Sequence, residues 1–452
     1  MRLVIIGAGP GGYETAVEAR RRGMEVKLVT AGKLGGTCLN QGCIPTKCFC
    51  HDARRGASLS EMVERKNGVI AQLRQGVERL LDGVEIIYGI ARVIDGRTVL
   101  VWPTEAEAVQ NPGLSEPRLR LEADRIIIAS GSHTAWLNVP GAVSVPGILS
   151  SSDMLELKEV PQRLAVIGGG VIGMEFASVF NKLGSEVSVI EYCRNILPNL
   201  DVDLAKRLKQ SLSRKGVKFL LGASVTEIRA EGQGQRVFFQ SGDKTDSLVS
   251  DKVLMACGRV PDTRVVQGCE GLEWTRKGIV TDENMETTLK GVYAVGDVNG
   301  KMMLAHAAVF QGRIALDHIC SSVGNSPKAR IREEIMPSAV FTDPPVASVG
   351  LSEEACKSRG IACKVFKSMY GSSGMALASD CGEGICKVLV AQPDQDGLRD
   401  GQILGCHIIG ASAPEMISEV SALMNFNATL DELSDIIHPH PSFSEILLNC
   451  AR

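Results

Sequence analysis

The sequence predicts an α/β protein: a strand–helix–strand unit that occurs twice, followed by a separate α+β domain. Three observations carry this reading. A short apolar strand, Leu3 to Ile6, runs into Gly7-Ala8-Gly9-Pro10-Gly11-Gly12, then a helical pattern from Tyr13 to Arg22 and a strand from Glu25 to Val29. The pattern returns as Val166-Ile167-Gly168-Gly169-Gly170-Val171-Ile172-Gly173, a helix ending near Leu183, and a strand from Val187 to Ile190. From Met336 the texture changes to short strands followed by helices.

The glycines of each unit have separate duties. Gly7 makes a tight turn, Gly9 admits a pyrophosphate to the backbone, Gly12 packs helix on sheet, and the helix N-terminus faces the phosphate. The motif alone is weak, but between a strand and a helix it is strong. Gly7, Gly9, Gly12, Gly23 and Val26 superpose on Gly168, Gly170, Gly173, Gly184 and Val187 at one constant offset, which marks an internal duplication. Two Rossmann-like dinucleotide-binding domains imply two dinucleotides, or one dinucleotide plus a decayed site. The units differ where the adenosine ribose is read. Glu191 ends the second strand of the later unit, where a carboxylate accepts from a ribose 2′-hydroxyl. Thr30 stands at the equivalent place in the first, and a hydroxyl replaces one such hydrogen bond but not two.

Ser58 to Leu81 shows helical spacing, and short strands are expected around Val84 to Val93 and Thr98 to Trp102. Ile126-Ile127-Ile128-Ala129-Ser130-Gly131 is a strand ending in small residues, and Val253 to Gly258, leading into Arg259-Val260-Pro261-Asp262, is its counterpart. Small strand ends let a ligand lie across a sheet edge. Val292 to Asp297 is a further strand, whose terminal carboxylate suits ribityl or ribose hydroxyls; Leu304-Ala305-His306-Ala307 then opens a helix reaching Ile319. The C-terminal strands are Ala339 to Thr342, Cys363 to Ser368, Ile385 to Val390 and Ile403 to Ile409, with helices at Ala413 to Phe426 and Leu430 to Ile437.

At 452 residues, 44% hydrophobic and 22% charged, the chain fits a globular protein of two to four domains. A net charge of −3 gives no reason to expect nucleic acid or an anionic membrane as partner. The sequence enters a strand at once, with no targeting segment and no apolar run near 18 residues, so a cytoplasmic location is expected. Fourteen cysteines in a chain of this length are not a disulfide scaffold. In a reducing compartment a disulfide should be transient and catalytic.

The candidate for such chemistry is Gly35-Gly36-Thr37-Cys38-Leu39-Asn40-Gln41-Gly42-Cys43-Ile44-Pro45-Thr46-Lys47. Pro45 suits a first helical turn, which puts Cys43 near a helix N-terminus, where a thiolate is favoured. Two cysteines at this spacing are either a redox-active dithiol or structural residues of a loop. In the tail His438-Pro439-His440-Pro441-Ser442-Phe443-Ser444-Glu445, a histidine between two prolines is rigidly aimed, with a carboxylate about one helical turn on. That suits acid–base work; a Pro-rich loop with incidental histidines is the plainer alternative. Cys48-x-Cys50-His51 lacks a second ligand pair, so no metal is expected.

Together these motifs resemble the flavin-dependent pyridine nucleotide–disulfide oxidoreductases, over Leu3 to Glu445. Within that family the runs at 35–47 and 168–175 and the histidine tail resemble the dihydrolipoamide dehydrogenase branch. The resemblance implies FAD on the first unit, held by Gly7, Gly9, Gly12, Thr30, Gly36, Thr37, Lys47, Ala91, Ala129, Ser130, Gly131, Asp297, Leu304, Ala305 and His306. It implies NAD on the second, held by Gly168, Gly170, Gly173, Glu191, Val225 and Gly258. Cys43 would touch the flavin, Cys38 would exchange with substrate, and Lys47 and Glu175 would lie beside the flavin's hydride-accepting edge. The implied segments are residues 1–150 for FAD, completed by a central domain at 271–335, then 151–270 for NAD and 336–452 for dimerisation. In a homodimer, His440 with Glu445 would face the disulfide of the other subunit. The implied reaction is NAD-dependent oxidation of dihydrolipoyl groups on the lipoyl-bearing domains of a 2-oxo acid dehydrogenase or glycine cleavage system. Thr30, Asp262 and Asp343-Pro344-Pro345 depart from the family pattern. A glutathione-reductase-like rival would need cations for a 2′-phosphate, where Glu191 stands; a mercuric-reductase-like rival usually ends in a cysteine pair, where only Cys450 is found. A mainly structural flavoprotein subunit leaves Cys38, Cys43, His440 and Glu445 unexplained.

Overall fold

The computed structural model describes residues 1–104, 116–321 and 332–451. The backbone divides into two compact units. One comprises Met1–Cys48, Glu61–Ala135 and Gly258–Ile331; the other comprises Phe49–Ser60, Trp136–Cys257 and Arg332–Arg452.

A five-stranded parallel sheet centres the first unit, in the order Val292–Ala294, Arg125–Ile128, Arg2–Ile6, Glu25–Thr30, Glu85–Tyr88. The middle strand is a continuous apolar run because both its faces are covered. Leu3 and Ile5 pack with Ala16, Leu28 and Leu316 on one side; Val4 and Ile6 pack with Val29, Ile126 and Val292 on the other. The antiparallel strands Ile90–Val93, Thr98–Trp102 and Leu119–Glu122 close that second side with Ala91, Val93, Val101 and Leu121. The first helix is Pro10–Arg21, so it begins inside the glycine motif and not at Tyr13. Gly9 is its N-cap, and Pro10 opens the first turn, where a missing N–H costs nothing.

The second unit repeats the plan: Lys218–Leu221, Glu186–Glu191, Arg163–Ile167, Lys252–Met255 and Ile148–Leu149 form a parallel sheet. Even the register is copied. Leu3 faces Val26 and Ile6 faces Val29; Leu164 faces Val187 and Ile167 faces Ile190. An antiparallel meander follows, Ala223–Glu231, Gly234–Ser241 and Lys244–Ser250, which the sequence reading did not mark. A bulge between Val225 and Glu227 interrupts the alternation by which such a strand is recognised.

The C-terminal part is an antiparallel sheet in the order Ser338–Val340, Val346–Gly350, Ile403–Ile409, Ile385–Ala391, Cys363–Met369. Val346–Gly350 was also unmarked, being a run of small residues directly after Pro344-Pro345. Helices Ala413–Asn425 and Glu445–Ala451 bury Met416, Val420, Ile446 and Leu447 against the sheet. The helix from Leu430 ends at Ser434, short of Ile437, and is set by a capping box between Thr429 and Glu432. One cation is buried here. Lys387, 1% exposed, places Nζ 2.8 Å from Asp201 Oδ2 and 3.2 Å from Asp203 Oδ2, and also pairs with Glu353.

Candidate active site

The glycine turns sort into two kinds. A Cβ on Gly7 would lie 2.2 Å from the Ala129 carbonyl oxygen, and one on Gly12 1.8 Å from that of Gly7. Gly168 and Gly173 repeat this, at 2.3 Å from the oxygen of Ala256 and 2.0 Å from that of Gly168. The fold itself therefore requires these four. A Cβ on Gly9 or Gly170 would meet nothing within 4 Å. Each of these two glycines is the N-cap of a helix with open space beside it, which fits a dinucleotide pyrophosphate. Gly36, at φ +58°, lies so close to this turn that its Cβ would be 2.6 Å from the Gly9 Cα.

Gly36 opens the short helix Gly36–Gln41, which carries Thr37 and Cys38. Asn40 ties that helix down by donating to the oxygens of Leu34 at 2.9 Å and Gly36 at 2.8 Å. Gly42 breaks the chain direction, and Cys43 is the first residue of helix Cys43–Arg54. Thr46 fastens the new helix by donating its hydroxyl to the Gly42 oxygen at 2.6 Å. Cys38 is hydrogen-bonded to Cys43. That bond, and then burial, push the Cys38 thiol far above the ordinary thiol range, with Lys47 opposing. Cys43 is exposed at a helix N-terminus, where the macrodipole favours a thiolate. Cys38 is thus the thiol of the pair that is held protonated.

Asp297 stands in the turn after strand Val292–Ala294 and is held from two sides. Ser132 donates its hydroxyl to Asp297 Oδ2 at 2.5 Å, while Arg259 donates Nε to Ser132 Oγ at 2.7 Å and Nη2 to the Ser132 carbonyl at 2.6 Å. Neither residue was singled out from the sequence, although each adjoins a glycine that was. Ser130 donates to the Asp262 oxygen at 2.8 Å, fixing the Ala129–Gly131 strand end. Leu304 directly precedes helix Ala305–Ser321, and His306 is exposed in its first turn. Ala91 lies in the strand core, paired with Val101. The buried hydroxyl of Thr30 bonds within its own turn, to Gly32.

In the second unit Glu191 is buried and accepts from the N–H of Gly169 at 2.5 Å and of Cys193 at 2.6 Å. Val225 borders the bulge of the meander. Gly258, at φ +109°, begins the return of the chain into the first unit. Glu175 is 2% exposed on helix Val171–Lys182 and accepts from the Phe341 N–H at 2.9 Å; Lys47 belongs to the first unit.

The tail histidines differ sharply. His440 directs Nδ1–H to Glu445 Oε1 at 2.9 Å, with its side chain 79% exposed. Glu445 also accepts from the Ser442 N–H at 2.8 Å, and its carboxyl is held below the ordinary range by His440 first and Ser442 second. With Nδ1 so engaged, Nε2 is the nitrogen left to take a proton. His438, 4% exposed, has both nitrogens taken, by Glu419 at 2.8 Å and the Ile436 oxygen at 3.1 Å. Among the described residues no cluster of three or more His, Cys, Asp or Glu could hold a metal ion, and no helix is long and apolar enough to cross a membrane.

Comparison with known proteins places this arrangement. The family model for pyridine nucleotide-disulphide oxidoreductases matches residues 1–312, and the model for their dimerisation domain matches 336–451. The dihydrolipoyl dehydrogenase of Chlamydia muridarum is 36% identical over 464 residues, spanning 98% of this chain and 94% of its own. Dihydrolipoyl dehydrogenase 3 of Pseudomonas aeruginosa is 36% identical over 476 residues, spanning 99% and 97%. Leghemoglobin reductase of Glycine max is 33% identical over 479 residues, spanning 99% and 86%. Among solved structures, the HOCl-induced flavoprotein disulfide reductase RclA of Escherichia coli superposes with a TM-score of 0.88 at 29% identity, over 100% of this chain and 99% of that one. The duplicated glycine turns, the dithiol between two helices and the C-terminal antiparallel domain are therefore those of a pyridine nucleotide–disulphide oxidoreductase, the family to which this chain belongs.

Proposed function

We propose that the protein is an NAD-dependent dihydrolipoyl dehydrogenase, oxidising protein-bound dihydrolipoyl groups to the cyclic disulfide. The observation that carries this is the Cys38–Cys43 thiol pair at the start of a helix, with the Cys38 thiol held up by its bond to Cys43. The names of the relatives from Chlamydia muridarum and Pseudomonas aeruginosa support the choice of substrate.

The chain works as a homodimer. With the cysteines oxidised, Nε2 of His440 of the partner subunit accepts a proton from one substrate thiol. The substrate thiolate attacks Cys38 Sγ, breaking the Cys38–Cys43 disulfide and releasing Cys43 as a thiolate. The second substrate sulfur, whose proton passes to the departing Cys38 sulfur, attacks the first. It closes the lipoyl ring and frees Cys38 as a thiol, so two electrons now reside on the cysteine pair. FAD on the first unit and NAD on the second, once bound, supply the onward two-electron transfer. Gly9 and Gly170 would admit their pyrophosphates, Asp297 would hold ribityl hydroxyls, and Glu191 would receive the NAD ribose while repelling a 2′-phosphate.

The partner is a lipoyl-bearing domain of a 2-oxo acid dehydrogenase or of a glycine cleavage system, met in the cytoplasm. The test is turnover of dihydrolipoamide with NAD beside that of glutathione disulfide with NADPH. Turnover of the first pair only is expected; turnover of the second pair only would overturn the reading.

A further inference from the structure

The duplication places Thr30 where Glu191 stands, Ala8 where Gly169 stands, and Gly32 where Cys193 stands. In the second unit the N–H groups of Gly169 and Cys193 both end on the Glu191 carboxylate, at 2.5 and 2.6 Å. The first unit answers only one of the two equivalent donors. Gly32 N–H reaches Thr30 Oγ1 at 3.3 Å, and the same hydroxyl turns back to the Gly32 oxygen at 3.2 Å. Ala8, 3% exposed, finds no acceptor for its N–H among the described residues. The space is altered too. A Cβ on Gly169 would sit 3.2 Å from Cβ, Cγ and Oε2 of Glu191, and Ala8 carries just such a methyl. A glutamate stem at position 30 would therefore need that methyl to give by a few tenths of an ångström.

We propose that Thr30 makes the first dinucleotide site indifferent to the adenosine-ribose hydroxyls of its ligand. That site holds its dinucleotide by its phosphate turn and its far end, and only the second unit has the carboxylate that reads a ribose. The hydroxyl of Thr30 is tied to Gly32 in its own loop, and the carboxylate that Glu191 supplies in the second unit has no counterpart at this position. This rests on the assignment of FAD to the first unit.

The test uses the full-length protein freed of flavin and reconstituted, with affinity read from flavin fluorescence. The ligands are FAD and a FAD whose adenosine ribose lacks both hydroxyls. Wild type should bind the two within about threefold of each other, because an unread hydroxyl contributes little. The Ala8→Gly/Thr30→Glu variant, rebuilt to the second unit's chemistry, should prefer FAD by about tenfold or more, as expected for a charge-assisted hydrogen bond. Thr30→Ala, a milder change, should keep both affinities within about threefold of wild type. Discrimination of tenfold or more by wild type, no gain in the double variant while it folds, or a tenfold loss of FAD in Thr30→Ala would each overturn the proposal and leave the FAD assignment standing. Failure of wild type to take up either flavin would overturn both.

Discussion

His440 Nδ1 and Glu445 Oε1 lie 2.9 Å apart on an exposed tail, whereas His438, two residues earlier, is sealed between Glu419 and the Ile436 carbonyl. One histidine is thus oriented and available, and the other is a structural link. His440→Ala is expected to lower dihydrolipoamide turnover by about 10²–10⁴-fold, the usual worth of a general base. Glu445→Gln should cost less, since the base remains and only its aim is loosened. His438→Ala should leave the chemistry intact but cost about 1–3 kcal/mol of stability, because it strands Glu419. Steady-state kinetics beside thermal unfolding separate the three; a catalytic collapse in His438→Ala with normal His440→Ala would reverse the assignment.

The depressed carboxyl of Glu445 sets a pH window. A group whose folded pKa lies below its ordinary value stays ionised through the ordinary carboxylate range, near pH 4.3. Its hold on His440 is complete above that range and fades only as pH falls through the lowered value. Proton NMR of the Glu445 carboxyl against pH should show its midpoint below that of an exposed glutamate, and moving up toward it in His440→Ala.

Cys43 holds the Cys38 thiol up through their hydrogen bond, the largest cause of its raised value. Removing the partner in Cys43→Ser should let Cys38 titrate nearer the free-thiol value of about 8.5. Alkylation of Cys38 by iodoacetamide near pH 8 should then be faster in the variant than in the reduced wild type. Unchanged labelling, read by mass spectrometry, would show that the two thiols do not interact.

The glycine turns separate folding from binding. Gly9→Ala and Gly170→Ala place a methyl in open space, so both should fold normally. Gly9→Ala should be purified without flavin, and Gly170→Ala should keep flavin but raise the KM for NAD by about tenfold or more. Gly12→Ala drives a Cβ to 1.8 Å from a backbone oxygen and should lose both flavin and about 1–3 kcal/mol or more of stability. Flavin absorbance and thermal unfolding on the same samples decide between these outcomes.

Lys387 is enclosed by Asp201, Asp203 and Glu353, and Asp201 is fully buried. Lys387→Met should cost about 3–5 kcal/mol, because it leaves the Asp201 carboxylate buried without its cation. The hydrogen bond from Lys367, ahead of Lys387, holds Asp203 down to about 2. Its contribution is therefore full above the ordinary aspartate value of about 3.9 and is lost as pH falls toward 2. Denaturant unfolding of the variant, and of wild type between pH 5 and 2, checks both statements.

The sequence alone determined the duplication, the phosphate turns and the dithiol at a helix start. These are local constraints: a glycine clashes with a carbonyl five residues away, or a proline opens the turn that holds a cysteine. The even register of the two sheets follows from the same repeats. Only the tertiary structure decided the rest, because the deciding partner lies far along the chain. Glu419 takes His438 and leaves His440 available. Asp201, 186 residues from Lys387, permits a buried lysine in an otherwise apolar strand. Ser132 and Arg259 meet at Asp297 through a strand pairing that no periodicity announces. In the strand Ala223–Glu231 a single bulge shifts the hydrophobic period, and only pairing with Gly234–Ser241 shows that the sheet continues across it.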